Sequence, residues 1–208
     1  MKQPLLETRG LTAFYGDFQA LFGIDFSVGE GETVAVIGSN GAGKSTFLRT
    51  ITALHANGGQ DIRFVGEQIA GMGADLVHKR GIALVPEGRR LFASLSVEEN
   101  LLIGASGGRA GPWTLDAVYG LFPDLTTKRR NPGTALSGGQ QQMVAIGRSL
   151  MSNPKLLLCD EISLGLAPKI IKDIYAAVCQ IRDLGTSIVV VEQDIGQAMA
   201  VADRIYCF

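Results

Sequence analysis

A glycine-rich segment, GSNGAGKST, has the residue types and the spacing of a phosphate-binding loop. It runs from Gly38 to Thr46, and Gly43, Lys44 and Ser45 occupy fixed positions of the pattern G-x-x-x-x-G-K-[ST]. Its glycines allow backbone N–H groups to face phosphate oxygens, the lysine can reach the β and γ phosphates, and the serine hydroxyl can bind Mg²⁺. The segment follows a strand-like apolar run and opens a helix-like one. The sequence therefore predicts a nucleotide site here.

Two adjacent carboxylates end a second apolar run, LLLCDE. Asp160 is placed to hold Mg²⁺ through a water molecule or through Ser45, whereas Glu161 can orient or deprotonate an attacking water. Because adjacent residues of an extended chain point in opposite directions, the two carboxylates can serve two different roles. The pair predicts hydrolysis of the bound nucleotide.

Two further segments combine polar groups with apolar runs. LSGGQQQMVAIGRSLM has a Ser-Gly-Gly helix start at Ser137, which is a second potential phosphate site but by itself is typical of an ordinary helix cap. SIVVVEQD ends a strand-like run on Gln193, between Glu192 and Asp194. Three polar residues are unusual at the end of a buried strand, and their role depends on the segments upstream.

Four short apolar runs are typical of strands buried on both faces of a mainly parallel sheet. They cover residues 32–38, 82–87, 155–161 and 186–193. Between the last two, an amphipathic helix is predicted to begin at Pro168 and to end before Gly185. This order of strand, helix and strand predicts the α/β class with a right-handed crossover.

The middle of the chain, from Gly88 onward, lacks strong strand patterns. A capping box formed by Ser96 and Glu99 predicts the start of a helix, and glycine-rich residues interrupt the region afterwards. We predict a helical lobe inserted into the sheet domain. The predicted division is a catalytic lobe of residues 1–87 and 152–208 and a helical lobe of residues 88–151.

The composition is that of an ordinary globular protein, since 46% of the 208 residues are apolar and 19% are charged. The net charge of −1 gives no indication of general nucleic-acid binding. Cys159, Cys179 and Cys207 are widely spaced, which favours reduced cytosolic thiols over a zinc or redox site. No secretory signal is evident, and no apolar run is long enough to span a bilayer. Any membrane part must therefore come from another subunit.

In this order, the motifs resemble those of the ATP-binding cassette (ABC) ATPases, and the resemblance covers nearly the whole chain. Gly38–Thr46 resembles the Walker A motif, Leu136–Gln140 the LSGGQ signature, and Leu156–Asp160 the Walker B motif that precedes the catalytic glutamate. Ser163–Pro168 stands where the family has its D-loop. The resemblance implies an α/β P-loop NTPase (RecA-like) fold, with a mainly parallel sheet, an N-terminal antiparallel β subdomain and an inserted helical subdomain.

In that family the signature of one cassette closes over the nucleotide held by the Walker A loop of another. The resemblance therefore implies a homodimer or heterodimer with two ATP molecules in its interface, and Tyr15 resembles the residue that stacks on adenine. The implied ATP contacts are Tyr15, Ser39, Asn40, Gly41, Ala42, Gly43, Lys44, Ser45, Thr46, Ser137, Gly138, Gly139 and Gln140. The implied Mg²⁺ ligands are Ser45, Glu87 and Asp160, and the implied catalytic residues are Glu161 and Gln193.

Three positions depart from the usual family pattern. Ile162 replaces the proline after the catalytic glutamate, Glu87 replaces the Q-loop glutamine, and Gln193 replaces the switch histidine. A carboxylate is at least as hard a Mg²⁺ ligand as an amide oxygen, and an amide N–H can donate to phosphate but cannot carry positive charge. We therefore expect hydrolysis to persist without a histidine contribution to its pH dependence. Glu192 and Asp194 are expected to be solvated or bonded to loops rather than catalytic.

A narrower resemblance is to the second ATPase subunit of bacterial branched-chain amino-acid importers, in which the replacements at Glu87 and Gln193 are familiar. It implies a peripheral subunit at the cytoplasmic face of the inner membrane, docked on integral membrane permease subunits that work with a periplasmic solute-binding protein, and no nucleic-acid partner. Alternatives are ABC systems for urea or amide import or lipopolysaccharide export, a cytosolic non-transport ABC ATPase, and a non-hydrolytic regulatory module. Relatives usually continue further, which leaves open whether the chain is truncated after Phe208.

A few other residues are candidates with less support. His55 and His78 lie far from the motifs in sequence, and surface or capping roles are expected. Trp113 is expected to pack within the protein rather than to contact a partner. Arg89 and Arg90 are candidates either for contact with a membrane subunit or for solvated surface charge.

Overall fold

The computed structural model describes residues 3–107 and 109–208, and within these ranges the chain forms two sheets and seven α-helices. The strands are β1 (Leu6–Tyr15), β2 (Phe18–Val28), β3 (Thr33–Ile37), β4 (Asp61–Phe64), β5 (Glu67–Gln68), β6 (Ile82–Val85), β7 (Leu156–Asp160), β8 (Ser187–Glu192) and β9 (Arg204–Cys207). The helices are α1 (Lys44–Ile51), α2 (Ala74–Arg80), α3 (Val97–Gly104), α4 (Leu115–Leu121), α5 (Gly138–Leu150), α6 (Pro168–Asp183) and α7 (Ile195–Met199). Short 3-10 helices lie at Pro123–Lys128 and Gly133–Ala135.

The larger sheet has five parallel strands in the order β6-β7-β8-β3-β9. Every residue of β3, β7 and β8 is buried, which explains why these segments read as continuous apolar runs without alternation. The four strands expected from the sequence are all present in it. Because the strands are parallel, the segments that follow β3, β6, β7 and β8 meet at one edge, and these segments contain the motif residues.

The smaller sheet has four strands in the order β2-β1-β4-β5, with antiparallel pairing. This is the antiparallel β subdomain that the resemblance implied. Helix α1 joins the two sheets, because its buried residues Phe47, Leu48 and Ile51 belong to one apolar core with residues from both. Packing against both sheets therefore holds α1 in place, and with it Lys44 and Ser45 at the start of the helix.

Helices α3, α4 and α5 lie between β6 and β7 in the chain, in the region expected to be helical. Their buried residues share a core with β7, β8 and α6, and Trp113 lies in it, with its indole N–H donating to Thr186 Oγ1 at 3.3 Å. Trp113 thus packs within the protein, as expected. The division into lobes at residues 88 and 152 stays a prediction. No helix among the described residues is long and apolar enough to cross a membrane.

Candidate functional site

A cleft of about 470 Å³ lies at the edge of the parallel sheet where the motif segments meet. Its lining residues are Tyr15, Phe18, Ala20, Asn40, Gly41, Gly43, Lys44, Ser45, Thr46, Glu87, Glu161, Leu164 and Gln193. Most of the residues expected to contact nucleotide or metal are therefore together. Ser39, Ala42 and Asp160 lie outside this lining, and so do Ser137, Gly138, Gly139 and Gln140 of the signature.

The phosphate-binding loop has a backbone that requires glycine at the residue before helix α1. Gly43 has φ +94°, and a Cβ atom there would lie 2.8 Å from both the carbonyl oxygen of Ala20 and a methyl carbon of Leu21. Helix α1 begins at the next residue, Lys44, which is only 4% exposed. The Lys44 ammonium donates to the carbonyl oxygens of Gly38 at 2.8 Å and Ser39 at 3.0 Å. The loop thus wraps around a lysine whose ammonium lies at its centre.

Ser45 and Asp160 connect this loop to the end of β7. The Ser45 hydroxyl donates to Asp160 Oδ1 at 2.9 Å. Burial raises the pKa of the Asp160 carboxyl above its ordinary value, the Ser45 hydrogen bond opposes this, and the charges of Glu161 and Glu87 add to the rise. A cation beside these carboxylates would relieve their repulsion. The oxygen atoms of Ser45, Asp160 and Glu87 thus form a set of hard donors that suits Mg²⁺.

Glu161 follows β7 in an uncommon backbone conformation, with φ 48°. Its N–H donates to the carbonyl oxygen of Val191 at 3.0 Å, and its own carbonyl accepts from the N–H of Leu164 at 3.2 Å. The next residue, Ile162, is 1% exposed and belongs to the core. Since the usual proline is absent, this burial and these two hydrogen bonds hold the turn.

The Glu161 carboxylate lies between an amide and a cation. Gln193 Nε2 donates to Glu161 Oε2 at 2.7 Å, and the Lys44 ammonium lies 3.7 Å from Glu161 Oε1. Gln193 therefore contacts the predicted catalytic carboxylate itself. An amide has two N–H donors, so the contact leaves one for a phosphate oxygen.

The signature segment begins helix α5 with a complete capping box. Ser137 Oγ accepts from the N–H of Gln140 at 3.4 Å, and Gln140 Oε1 accepts from the N–H of Ser137 at 3.1 Å. The Arg89 guanidinium lies beside Gly138, where a Cβ atom would be 3.1 Å from its nearest nitrogen. Within this chain the segment therefore works as a helix cap, and Arg89 packs against it rather than extending into solvent.

Comparison with known proteins decides the family. The family model described as ABC transporter matches residues 21–163, which is more than half of the chain. The chain belongs to the ABC transporter family. It is an ABC ATPase, as the three motifs predicted, and the predicted α/β P-loop fold is confirmed as well.

Two relatives and one solved structure illustrate the similarity. The chain is 44% identical to the high-affinity branched-chain amino acid transport ATP-binding protein BraG of Pseudomonas aeruginosa, over 94% of this chain and 85% of BraG. It is 29% identical to BraF of the same organism, a protein with the same description, over 99% of this chain and 88% of BraF. A dimeric structure of the ATP-binding cassette MJ0796 bound to ADP and Pi matches with a TM-score of 0.83 and 25% identity, over 98% of this chain and 94% of that one.

Tyr15, which lines the cleft, pairs with a second aromatic ring. Tyr15 is half-exposed, and the ring of His55 lies against it, with centroids 4.5 Å apart and planes tilted by 41°. The Tyr15 hydroxyl lies 3.4 Å from Thr46 Oγ1. Sequence reasoning expected a surface or capping role for His55 and missed this contact. No signal in the sequence could have found it, because it depends on how the loop after α1 folds back.

The acids that flank Gln193 have different environments in the cassette. Glu192 is 3% exposed, and it accepts hydrogen bonds from Ser163, in the loop after β7, and from Tyr175 on α6. Of the two expected environments, the solvated one is therefore wrong, and the bond to a loop is confirmed. Burial raises its pKa above the ordinary carboxyl value, against the lowering effect of these bonds. Asp194 caps α7, accepting from the N–H of Gln197 at 3.1 Å. The buried Glu192 thus joins two elements of the cassette.

Proposed function

We propose that this cassette is the ATP-hydrolysing subunit of a bacterial importer of branched-chain amino acids. The observation that carries the proposal is the similarity to BraG, which extends over nearly the whole of both chains. The cleft supports the enzymatic part, because a cation, a serine hydroxyl and acidic groups converge in it. In this proposal the cassette works at the cytoplasmic face of the inner membrane. The amino acid itself passes through the permease and does not contact the cassette.

The residues of the cleft divide the work of hydrolysis. The loop N–H groups and the Lys44 ammonium bind the phosphates of ATP, and the ring of Tyr15 stacks on the adenine. Glu161 accepts a proton from the attacking water, and Gln193 orients that carboxylate through its 2.7 Å hydrogen bond. The second N–H of Gln193 can donate a hydrogen bond to an oxygen of the γ-phosphate. Hydrolysis thus needs positioned groups rather than a covalent intermediate.

Mg²⁺ fits the donors of Ser45, Asp160 and Glu87. Among the described residues no three His, Cys, Asp or Glu side chains form a preformed metal cluster, so the remaining ligands would be phosphate oxygens and water. When bound, the ion neutralises charge on the phosphates. Asp160 holds Ser45 in place for this contact through their 2.9 Å hydrogen bond.

A second cassette would complete the site. The signature residues Ser137, Gly138 and Gly139 do not line the cleft of their own chain, and helix α5 is capped from within. Their N–H groups would meet the γ-phosphate bound by another cassette. BraG and BraF come from one organism and share one transport description, which favours a heterodimer of two ATPase subunits over a homodimer.

A permease helix is the proposed occupant of a second, more apolar groove. This groove has a volume of about 390 Å³, and Leu54, Val77, Phe92 and Ile103 line it together with Arg90. Arg148 on α5 donates to the carbonyl oxygens of Arg89 at 3.2 Å and Arg90 at 2.8 Å, so the loop after Glu87 is tied to the signature helix. Movement of a permease helix in this groove would therefore displace both the loop after Glu87, which lines the ATP cleft, and the signature helix α5.

Transport can be tested by assembling this cassette with permease subunits, a second ATPase subunit and a solute-binding protein of a branched-chain amino-acid importer. We expect proteoliposomes containing the assembled complex to accumulate leucine, isoleucine and valine when ATP is present inside. The matched control is the same complex with Glu161→Gln, which should accumulate none. Accumulation of urea without accumulation of these amino acids would contradict the proposed cargo but not the ATPase.

Replacing His55 by alanine should raise the KM for ATP by about 2- to 12-fold and leave kcat unchanged. The reason is that an aromatic pair contributes about 0.5–1.5 kcal/mol, and the contact with His55 holds Tyr15 in place. Steady-state phosphate release measures both constants. His55→Phe should keep the wild-type KM, and His78→Ala is the control for the loss of a histidine elsewhere. A changed kcat with an unchanged KM would contradict this role.

A further inference from the structure

Glu192 is a buried carboxylate that the proposed hydrolysis does not use. It ends β8 after three valines, and its side chain is enclosed by the core. Burying a carboxylate costs free energy unless hydrogen bonds compensate it. Three donors do so here: Tyr175 Oη at 2.7 Å, Ser163 Oγ at 2.8 Å and the Ser163 N–H at 3.3 Å. An apolar residue would suffice for packing alone, so the hydrogen bonds indicate a more specific role.

The hydrogen bonds of Glu192 join the two chain segments that carry the predicted catalytic groups. Ser163 lies two residues after Glu161, and Glu192 lies directly before Gln193. The side chain of Glu192 is buried, whereas Gln193, the residue that directly follows β8, lines the cleft. Fixing Glu192 therefore fixes the backbone of Gln193, and fixing Ser163 limits the movement of Glu161.

Two other contacts bridge the same two segments. The Glu161 N–H donates to the carbonyl oxygen of Val191 at 3.0 Å, and Gln193 Nε2 donates to Glu161 Oε2 at 2.7 Å. Tyr175 adds a rigid support, because it is buried on α6 and belongs to the core. Burial and the nearby Glu192 charge raise the Tyr175 pKa, so its hydroxyl remains a donor. Through Tyr175, the hydrogen bonds of Glu192 are thus anchored to α6, a helix outside the cleft.

We propose that Glu192 is a positioning residue, which uses Ser163 and Tyr175 to hold the loop after β7 against the end of β8 and so keeps Glu161 and Gln193 at hydrogen-bonding distance. The catalytic part of this inference rests on the proposed function. The structural part, that Glu192 ties down the loop, does not depend on it.

Four substitutions separate hydrogen bonding from charge and from packing. Glu192→Gln can keep all three contacts, because its amide oxygen can accept from Tyr175 and from the Ser163 N–H, and its NH₂ can donate to Ser163 Oγ. Glu192→Leu removes all of them. Ser163→Ala and Tyr175→Phe each remove a hydroxyl with little change in volume, and keep the test valid if the leucine variant does not fold. Tyr119→Phe is the matched control, since Tyr119 donates to Glu98 instead.

The substitutions that remove hydrogen bonds are expected to lower kcat and to leave KM unchanged. Ser163→Ala, Tyr175→Phe and Glu192→Leu should lower kcat for ATP hydrolysis, by about tenfold or more for the last, because misplaced catalytic groups lose rate steeply. The KM for ATP should not change, and Glu192→Gln and Tyr119→Phe should keep the wild-type kcat. A glutamine variant as impaired as the leucine variant would overturn the hydrogen-bonding role.

Hydrogen–deuterium exchange gives a measurement that needs no activity. Peptides covering residues 161–168 should exchange faster in Ser163→Ala, Tyr175→Phe and Glu192→Leu than in the wild type, and at the wild-type rate in Glu192→Gln. Unchanged exchange in the first three would overturn the proposal, whatever the rate of hydrolysis. A wild-type cassette that releases no phosphate with its partner subunits would instead overturn the proposed function, and exchange would still decide whether Glu192 ties down the loop.

Discussion

Glu161→Gln is expected to abolish ATP hydrolysis and to leave ATP binding intact. The substitution keeps the size of the side chain and replaces a proton acceptor by an amide, which cannot accept a proton from water. The new amide oxygen can still accept the hydrogen bond from Gln193, so the geometry of the cleft should persist. Loss of a general base lowers a rate by about 100- to 10,000-fold. The expected kcat is therefore near background.

Two measurements are needed for this variant. Phosphate release at saturating ATP gives kcat, and titration with a fluorescent ATP analogue gives the dissociation constant. Glu30→Gln is the matched control, because Glu30 is an exposed glutamate in the loop between β2 and β3. A rate close to that of the wild type would show that another group activates the water, and the assignment of Glu161 would fail.

The sequence predicted the central strands and α6 well because their signals are local. Each buried strand is a short apolar run, and α6 begins at Pro168 and ends two residues before Gly185, as the start and stop signals indicated. The site residues in the Walker motifs were predictable for a related reason. Parallel strands bring their carboxyl ends to one edge, so motifs that follow β3 and β7 must meet there.

The contacts that sequence reasoning missed join residues far apart in the chain. The sequence left Glu192 either solvated or bonded to a loop, and it did not identify the partners of this side chain. Its donors come from Ser163 and Tyr175, which lie 29 and 17 residues earlier. Tyr15 and His55 are likewise brought together only by the fold. Burial of a polar side chain depends on tertiary partners, and no single sequence segment contains that information.

The signature shows a different limit. Its helix start at Ser137 was predicted from the sequence and is present in the structure, with a capping box, yet the phosphate that its N–H groups would meet belongs to another chain. One cassette therefore supplies the Walker residues of one proposed ATP site and the signature residues of the other. The local structure of Ser137 and Gln140 explains the start of helix α5, whereas their proposed role requires the dimer.

Lys44→Ala is expected to weaken ATP binding by at least tenfold and to abolish hydrolysis. The Lys44 ammonium is the cation at the centre of the phosphate-binding loop, held by the carbonyl oxygens of Gly38 and Ser39. Hydrogen bonds to charged groups contribute about 1.5–3 kcal/mol each, so losing even one to a phosphate should weaken binding by about 10- to 150-fold. The substitution also leaves the carboxylate of Glu161 without its nearby cation, which adds repulsion toward the phosphates.

The same nucleotide titration that finds normal binding in Glu161→Gln should find binding weakened by at least tenfold in Lys44→Ala. Lys172→Ala, at an exposed lysine of α6, controls for the loss of one positive charge. A melting curve without nucleotide separates lost binding from lost folding. If Lys44→Ala bound ATP normally but failed to hydrolyse it, the lysine would act only on the transition state, and the loop N–H groups alone would account for ground-state binding. The two variants together therefore test whether Lys44 is needed to bind ATP and Glu161 only to hydrolyse it.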